Sequence, residues 1–459
     1  MTKYILNILL FNTLLFVLYF SYGFPNNIFF GITNYFIIII SLFGIFNKPQ
    51  EYYSVFKFFY LFSLLFFGLI PYLNSLHRVY YWDGSPINTD YFIVANIIIL
   101  LSLVSYWILY HSYHPVININ KIIKIERYQH NLILHEKNKV LLFFMLLMII
   151  SCTLIFHYRD FTFLNLFFRE TIYTNSKMEL LFASYFLMPI PILILLIFNY
   201  ISKFVQYKYM TIYKLFFMLS AFLFVFPTST ARFFAVTMYF AVILSMTNIL
   251  EKKYRIQYGL LFGVFFIFPL LDKFRFIVSF DKIDWSIDFH FLQAGHFDAY
   301  QNFVRLISID YISYGYQLYG PIAFFIPRSV WSEKPIGSGH LLAQLANIDF
   351  SNISMPLLAE GYINFGIIGT LLFVSVFAIL SKYMDFKYWT LKKYNSTNSF
   401  YPIYFLFLGL SLFIMRGDLM SSFAYSITII CVYKLINKII IFIVSKKVIY
   451  NKKLNYERK

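Results

Sequence analysis

Twelve long runs of mostly apolar residues constrain this chain more than any other feature. They lie near 4–22, 26–46, 54–74, 91–110, 139–157, 179–201, 211–228, 232–250, 256–271, 357–381, 400–415 and 419–444. Inside a bilayer the backbone must satisfy its own hydrogen bonds, and a helix that crosses needs about 20 mostly apolar residues. Two runs, 256–271 and 400–415, are short for a full crossing. The chain is 60% apolar and only 13% charged. Soluble globular chains run at about 45–50% apolar and about 25% charged, so that class is excluded. The expected fold is an all-α polytopic membrane protein with about 12 transmembrane helices. The first run reads as a span and not as a cleaved leader, because Ser21-Tyr22-Gly23-Phe24 offers no small-x-small cleavage site.

The charges are distributed unevenly between the two faces that alternating spans create. With the N-terminus in the cytoplasm, the inner segments are 1–3, 47–57, 111–139, 202–214, 251–255, 382–398 and the tail from Lys434. They hold 26 of the 38 Lys and Arg residues but only 6 of the 21 acids. Basic residues stay on the cytoplasmic side because their translocation is disfavoured. Both termini are therefore expected in the cytoplasm. The excess of +17 reports orientation and is scattered over many segments, which excludes a nucleic-acid surface as the reason for it.

One outer connection is long, from Asp272 to Pro356. Loops beyond about 15 residues are either functional or disordered, and this one is too aromatic for disorder. The chain accordingly divides into spans one to nine over 1–271, a large periplasmic loop and partly helical cap over 272–356, and the last three spans with a basic tail over 357–459. There is no internal repeat. Cys152 and Cys431 lie inside apolar runs with no CxxC neighbour, which excludes a disulfide framework.

Charges at the ends of spans are costly and point to function. Arg232 follows Pro227-Thr-Ser-Thr-Ala231, Arg275 follows span nine, and Arg416-Gly417-Asp418 forms the turn before the last span. Arg328 lies in Phe325-Ile-Pro-Arg-Ser-Val-Trp-Ser-Glu-Lys-Pro335, where Pro327, Trp331 and Pro335 predict a rigid turn. Guanidinium forks bind phosphate or carboxylate bidentately. Converging near the outer surface, they suit a lipid diphosphate or an acidic sugar. The alternatives are a local pair with Asp418 for Arg416, and headgroup snorkelling for Arg232.

Glu360 falls just inside the tenth run, with Asn364 one turn on. A carboxylate there suits a general base or a structural pair with Arg328 or Arg416. Gly366 and Gly369 offer a small patch for close helix packing. His290, His296 and His340 lie in the long loop, and His296-Phe-Asp298 pairs a possible base with an orienting carboxylate. No HExxH, DxD or Walker A motif occurs, so no metal site, cofactor or nucleotide is expected. The loop's Tyr and Trp residues suit sugar rings or a membrane-interface belt.

Four stretches together resemble the Wzy-type O-antigen polymerases of bacterial surface-polysaccharide synthesis. They are His296-Phe-Asp-Ala-Tyr-Gln301, Phe325 through Gly339, Ala359-Glu-Gly-Tyr-Ile-Asn-Phe-Gly-Ile-Ile-Gly369, and Arg416-Gly-Asp418. The resemblance implies an inner-membrane glycosyltransferase, built like the lipid-donor integral-membrane enzymes of the GT-C type. Such enzymes join oligosaccharide repeat units carried on undecaprenyl diphosphate at the periplasmic face, with inversion and without a metal. Implied partners are the lipid-linked donor and acceptor, the bilayer, and a protein that regulates chain length. Related O-antigen ligases place a His shortly before the equivalent glycine pair. Here 352–357 contains none, which moves the base to Glu360. The implied catalytic set is Glu360, Arg328, His296 and His340. The implied diphosphate and sugar contacts are Arg232, Arg275, Lys334, Arg416, Asp418, Tyr362, Asn364, Asp298 and Trp331. The rival readings are an exporter of lipid-linked oligosaccharide, or an O-antigen ligase.

Overall fold

The computed structural model describes residues 27–46, 52–83, 86–168, 177–247, 255–263, 266, 294–394 and 397–457. Among these, every regular element is helical. Seven helices are long and apolar enough to cross a membrane: Ile28–Phe46, Val55–His77, Thr89–Ser112, Lys137–Tyr158, Glu179–Ile201, Leu357–Lys393 and Leu419–Ser445. Met210–Phe224, Phe233–Met246 and Phe400–Arg416 are apolar but shorter. The runs at 211–228 and 232–250 thus give shorter helices than expected. The first stops at Val225, just before Pro227, and the second at Thr247, which turns extended. The run at 4–22 lies outside the described residues, as do 264–265 and 267–271 of the run at 256–271. Short polar side chains start the helices. Asn27, Ser54, Asn88, Asn118 and Asp418 each accept a backbone N–H from the first turn of the adjoining helix.

Contacts divide the chain into two interleaved units. The first comprises 1–114, 288–383 and 411–423, and the second comprises 115–287, 384–410 and 424–459. This division cuts across the three consecutive segments expected from the sequence.

In the first unit, Val55–His77 contains a π-helical stretch, Leu64–Leu69. Such a bulge disturbs the α-helical bonding ladder. The buried Asn34 amide donates to the carbonyls of Phe67 and Gly68, at 3.2 and 3.1 Å. At the other end of this helix pair Gly44 leaves room for Tyr60, since a Cβ there would collide with the Tyr60 ring. Aromatic residues fill the other side of the helix. Phe59 stacks on Tyr106 at 3.8 Å between centroids, and the Tyr60 hydroxyl donates to the Leu103 carbonyl at 2.8 Å.

The described part of the long loop is partly helical, and one of its helices lies inside the unit. Its helix Ala299–Ile309 is buried from Ala299 through Ile307 and packs on Thr89–Ser112. Polar bonds fix it there. Tyr300 donates to Asn96 at 2.8 Å, Gln301 donates to the Val79 carbonyl at 2.7 Å, and Gln301 accepts the Tyr81 amide at 3.0 Å.

Leu357–Lys393 is not one straight rod. It breaks at Phe365 and Gly366, where Gly366 has φ 63° and ψ −148°. The short segment 357–364 folds back on the longer segment that starts at Ile367. The Thr370 hydroxyl donates to the Leu358 carbonyl at 3.0 Å, whereas twelve residues of straight helix span about 18 Å. Gly361 and Gly369 meet backbone to backbone at the crossing. The expected small-residue patch is therefore the inside of a hairpin within one element, and Glu360 stands before the break.

The second unit is built around the wholly buried stretch Pro191–Ile201. Its buried Glu126 accepts from the Tyr200 hydroxyl at 2.5 Å and from the backbone N–H of Ser399 at 2.5 Å. Arg159 is 1% exposed and donates to the carbonyls of Phe168 and Ser229. Burial draws its guanidinium down to about 10.

Candidate functional site

The first unit gathers its polar side chains around the turn that ends Phe400–Arg416. Asp298 precedes the buried helix Ala299–Ile309 and is 0% exposed. Its Oδ2 accepts from the Trp82 indole at 2.8 Å, the Asn302 amide at 2.9 Å and the Ser354 backbone N–H at 3.1 Å. Its Oδ1 accepts from the Ser354 hydroxyl and from Arg416 Nη2, the latter at 3.3 Å. Arg416 Nε donates to the His296 carbonyl at 2.9 Å. Arg416 therefore pairs with Asp298, 118 residues away in sequence, while Asp418 caps the last helix by accepting the Ser421 N–H at 2.7 Å.

Trp82 is held in a left-handed backbone conformation, φ 62° and ψ 38°. That costs a non-glycine residue about 1–2 kcal/mol. Stacking on Phe350 at 4.3 Å and the bond to Asp298 offset the strain. Gly295 leaves room for the indole, where a Cβ would collide with it.

Glu360 enters the same place from 357–364. It is 1% exposed. Oε1 accepts the Leu419 N–H at 2.7 Å and Oε2 accepts the Ser338 hydroxyl at 2.9 Å. The carboxylate thus joins the first turn of the last helix to the start of Ser338–Leu345. Of the two roles open in the sequence, an Arg pair is replaced by these two neutral donors. Gly337 lies against the Asp418 carboxylate, and Gly320 lies between Met420 and Pro335. The residues from Arg416 to Met420 therefore touch the other three of the four stretches singled out in the sequence.

The neighbouring turn is self-contained. Arg328 donates through Nη1 to the Lys334 carbonyl at 2.5 Å and through Nη2 to the Pro335 carbonyl at 2.9 Å. Lys334 Nζ donates to the carbonyls of Ala323, Phe324 and Ile326, at 3.2, 3.2 and 2.9 Å. With its three donors used, Lys334 holds the turn together and has none left for a ligand. Burial, with the Arg328 charge beside it, pushes the Lys334 ammonium below its usual range. Trp331 closes the turn through its backbone N–H to Pro327, at 3.1 Å.

The remaining candidates divide between this place and others. Tyr362 donates to Asp310 at 3.3 Å. The buried Asn364 donates to the Glu360 carbonyl at 2.8 Å and accepts from Ser313 at 3.4 Å. His340 lies one turn before Gln344, with ring and amide 3.2 Å apart. Arg232 opens Arg232–Met246 in the second unit, but its side chain lies outside the described residues, as do Arg275 and His290. Among the described residues, no three His, Cys, Asp or Glu side chains gather closely enough to hold a metal ion.

Two participants were missed in the sequence. Asn302 and Arg305 follow Asp298 at i+4 and i+7, which places all three on one face of the buried helix. Arg305 is 5% exposed, and neither Nη1 nor Nη2 has a hydrogen-bond partner among the described residues. Burial lowers its guanidinium from the usual value, while Asp298 acts in the opposite direction. The D-x-x-x-N-x-x-R spacing was the available signal.

No protein-family model, curated protein or solved structure matches this chain.

Proposed function

We propose that the chain is a bacterial inner-membrane glycosyltransferase of the O-antigen polymerase type. It takes polyprenyl-diphosphate-linked oligosaccharides as donor and acceptor and extends a surface polysaccharide at the periplasmic face. In this reading about twelve spans form a GT-C-like frame and both termini lie in the cytoplasm. The observation that carries the proposal is the convergence of three separated stretches on the fourth, at the turn 416–420. Polymerase-like motifs scattered by chance through a membrane protein have no reason to meet there.

The chemistry follows from the residues. A departing polyprenyl diphosphate develops negative charge, and a guanidinium fixed in advance stabilises it without reorganisation. Arg416 is so fixed, by Asp298 on one side and the His296 carbonyl on the other. The acceptor hydroxyl must lose a proton. Glu360, oriented by the Leu419 N–H and the Ser338 hydroxyl, takes it, with His296 and His340 as the nearby alternatives. Arg328 and Lys334 shape the adjoining wall.

The test is Arg416→Lys in a strain that depends on this chain. The expected result is a normal amount of protein in the membrane and surface polysaccharide limited to a single repeat unit. Unchanged long-chain ladders would refute the role of this turn. Deleting the protein separates the rival activities. A lost polymerase leaves single units at the surface, a lost exporter leaves none there, and a lost ligase leaves long polymer on its lipid carrier.

A further inference from the structure

The buried cluster around Asp298 is electrically incomplete. One carboxylate serves two guanidinium groups, Arg416 at 3.3 Å and Arg305 two turns along the same helix. A buried charge without hydrogen bonds is among the costliest features a fold can carry. Arg305 nevertheless leaves both Nη groups unmatched at 5% exposure.

A second unmatched atom lies one turn away. The Asn302 amide nitrogen is committed to Asp298 and to the Ser354 carbonyl, at 2.9 and 2.8 Å. Those bonds fix the amide's orientation, so Oδ1 is the acceptor, and it too lacks a partner among the described residues. The unmatched set is therefore a pair of cationic donors with a neutral acceptor beside them. An oxyanion carrying an adjacent hydroxyl satisfies both halves, whereas a bare anion satisfies only the first. Arg416, with 15% of its side chain exposed, is the more accessible partner of the pair it makes with the fully buried Asp298.

We infer that Arg305 and Asn302 form a subsite for a glycosyl oxyanion, in which a phosphate or carboxylate lies on the Arg305 guanidinium and a neighbouring sugar hydroxyl donates to Asn302 Oδ1. The inference rests on the proposed sugar-transfer reading for its biological meaning. The binding itself stands or falls separately. Two sources share this chemistry: the sugar-phosphate end of a lipid-linked unit, and an acidic sugar within it.

Thermal unfolding of the purified full chain in detergent distinguishes them, with glucose 1-phosphate, glucuronate and inorganic pyrophosphate as probes. Ligands that bind only the folded state raise the midpoint in proportion to occupancy. The expected result is a rise of a few degrees with glucose 1-phosphate or glucuronate, larger than that with pyrophosphate. Whichever sugar is stronger identifies the source. Arg305→Met should weaken that apparent affinity roughly ten- to hundred-fold, the loss of a charge-assisted hydrogen bond. Without ligand, Arg305→Met should melt no lower than the parent, because an unmatched buried charge has been removed. No rise with either sugar in the parent protein overturns the inference. So does a rise that survives Arg305→Met undiminished, or one produced by pyrophosphate alone. None of these outcomes bears on polymerisation, which the Arg416→Lys strain reads independently.

Discussion

At the residue scale, Glu360 separates structural from chemical work. Its two oxygens accept from a backbone N–H and from a hydroxyl. A glutamine keeps the first bond through its carbonyl and can donate to the Ser338 hydroxyl through its amide, since a hydroxyl serves either role. Glu360→Gln should therefore unfold within about 1 kcal/mol of the parent while polymerisation is lost. Glu360→Ala leaves the Leu419 N–H buried without a partner and should cost about 1–3 kcal/mol. Chemical unfolding in detergent and surface-polysaccharide ladders read the two effects. A Gln variant with full chain length would return the proton to His296 or His340. The sequence marked Glu360 and Arg416 by their places at the ends of apolar runs. It could not show that Arg416 reaches past Asp418 to Asp298, because that pairing depends on where a buried helix lies.

At the element scale, the break in Leu357–Lys393 decides where Glu360 stands. Gly366 occupies a φ, ψ combination that is essentially confined to glycine. Gly366→Ala should lower stability by about 1–3 kcal/mol, and the strain should be relieved by straightening 357–364 away from the Leu419 N–H. Loss of polysaccharide chain length is then expected even though no charged group has changed. Hydropathy marked this run as one span, because apolar content persists across the break. The glycines were visible, but an uninterrupted helix and a hairpin have the same composition. The helix Ala299–Ile309 was hidden for a related reason. Its Asp, Gln, Asn and Arg keep it well below the hydropathy of a span, whereas Asp298, Gln301 and Asn302 find their partners in one another, in Ser354 and in Val79 inside the unit.

At the scale of the whole molecule, the asymmetry of charge makes the orientation of the spans a testable expectation. Reporter fusions after residues 136 and 394 should report the cytoplasm, and a fusion after 347 should report the opposite side. A cytoplasmic signal at 347 would invert the proposed site. Among the described residues, seven of the twelve apolar segments form helices long enough to cross and three form shorter ones, so hydropathy marked the segments but not their lengths. The grouping of those segments was not legible. Hydropathy has no term for which span neighbours which, and the two units each draw on three separated parts of the chain.

That interleaving imposes a schedule on biosynthesis. Chains emerge from the ribosome at about 5–20 residues per second. The first unit begins with residues 1–114 yet needs 411–423 before it is complete. Its opening helices must therefore wait in the bilayer while nearly all the rest is translated, exposing surfaces such as the face of Asn96 that later receives Tyr300. A membrane-embedded chaperone that shelters polar helix faces would find its client in that interval.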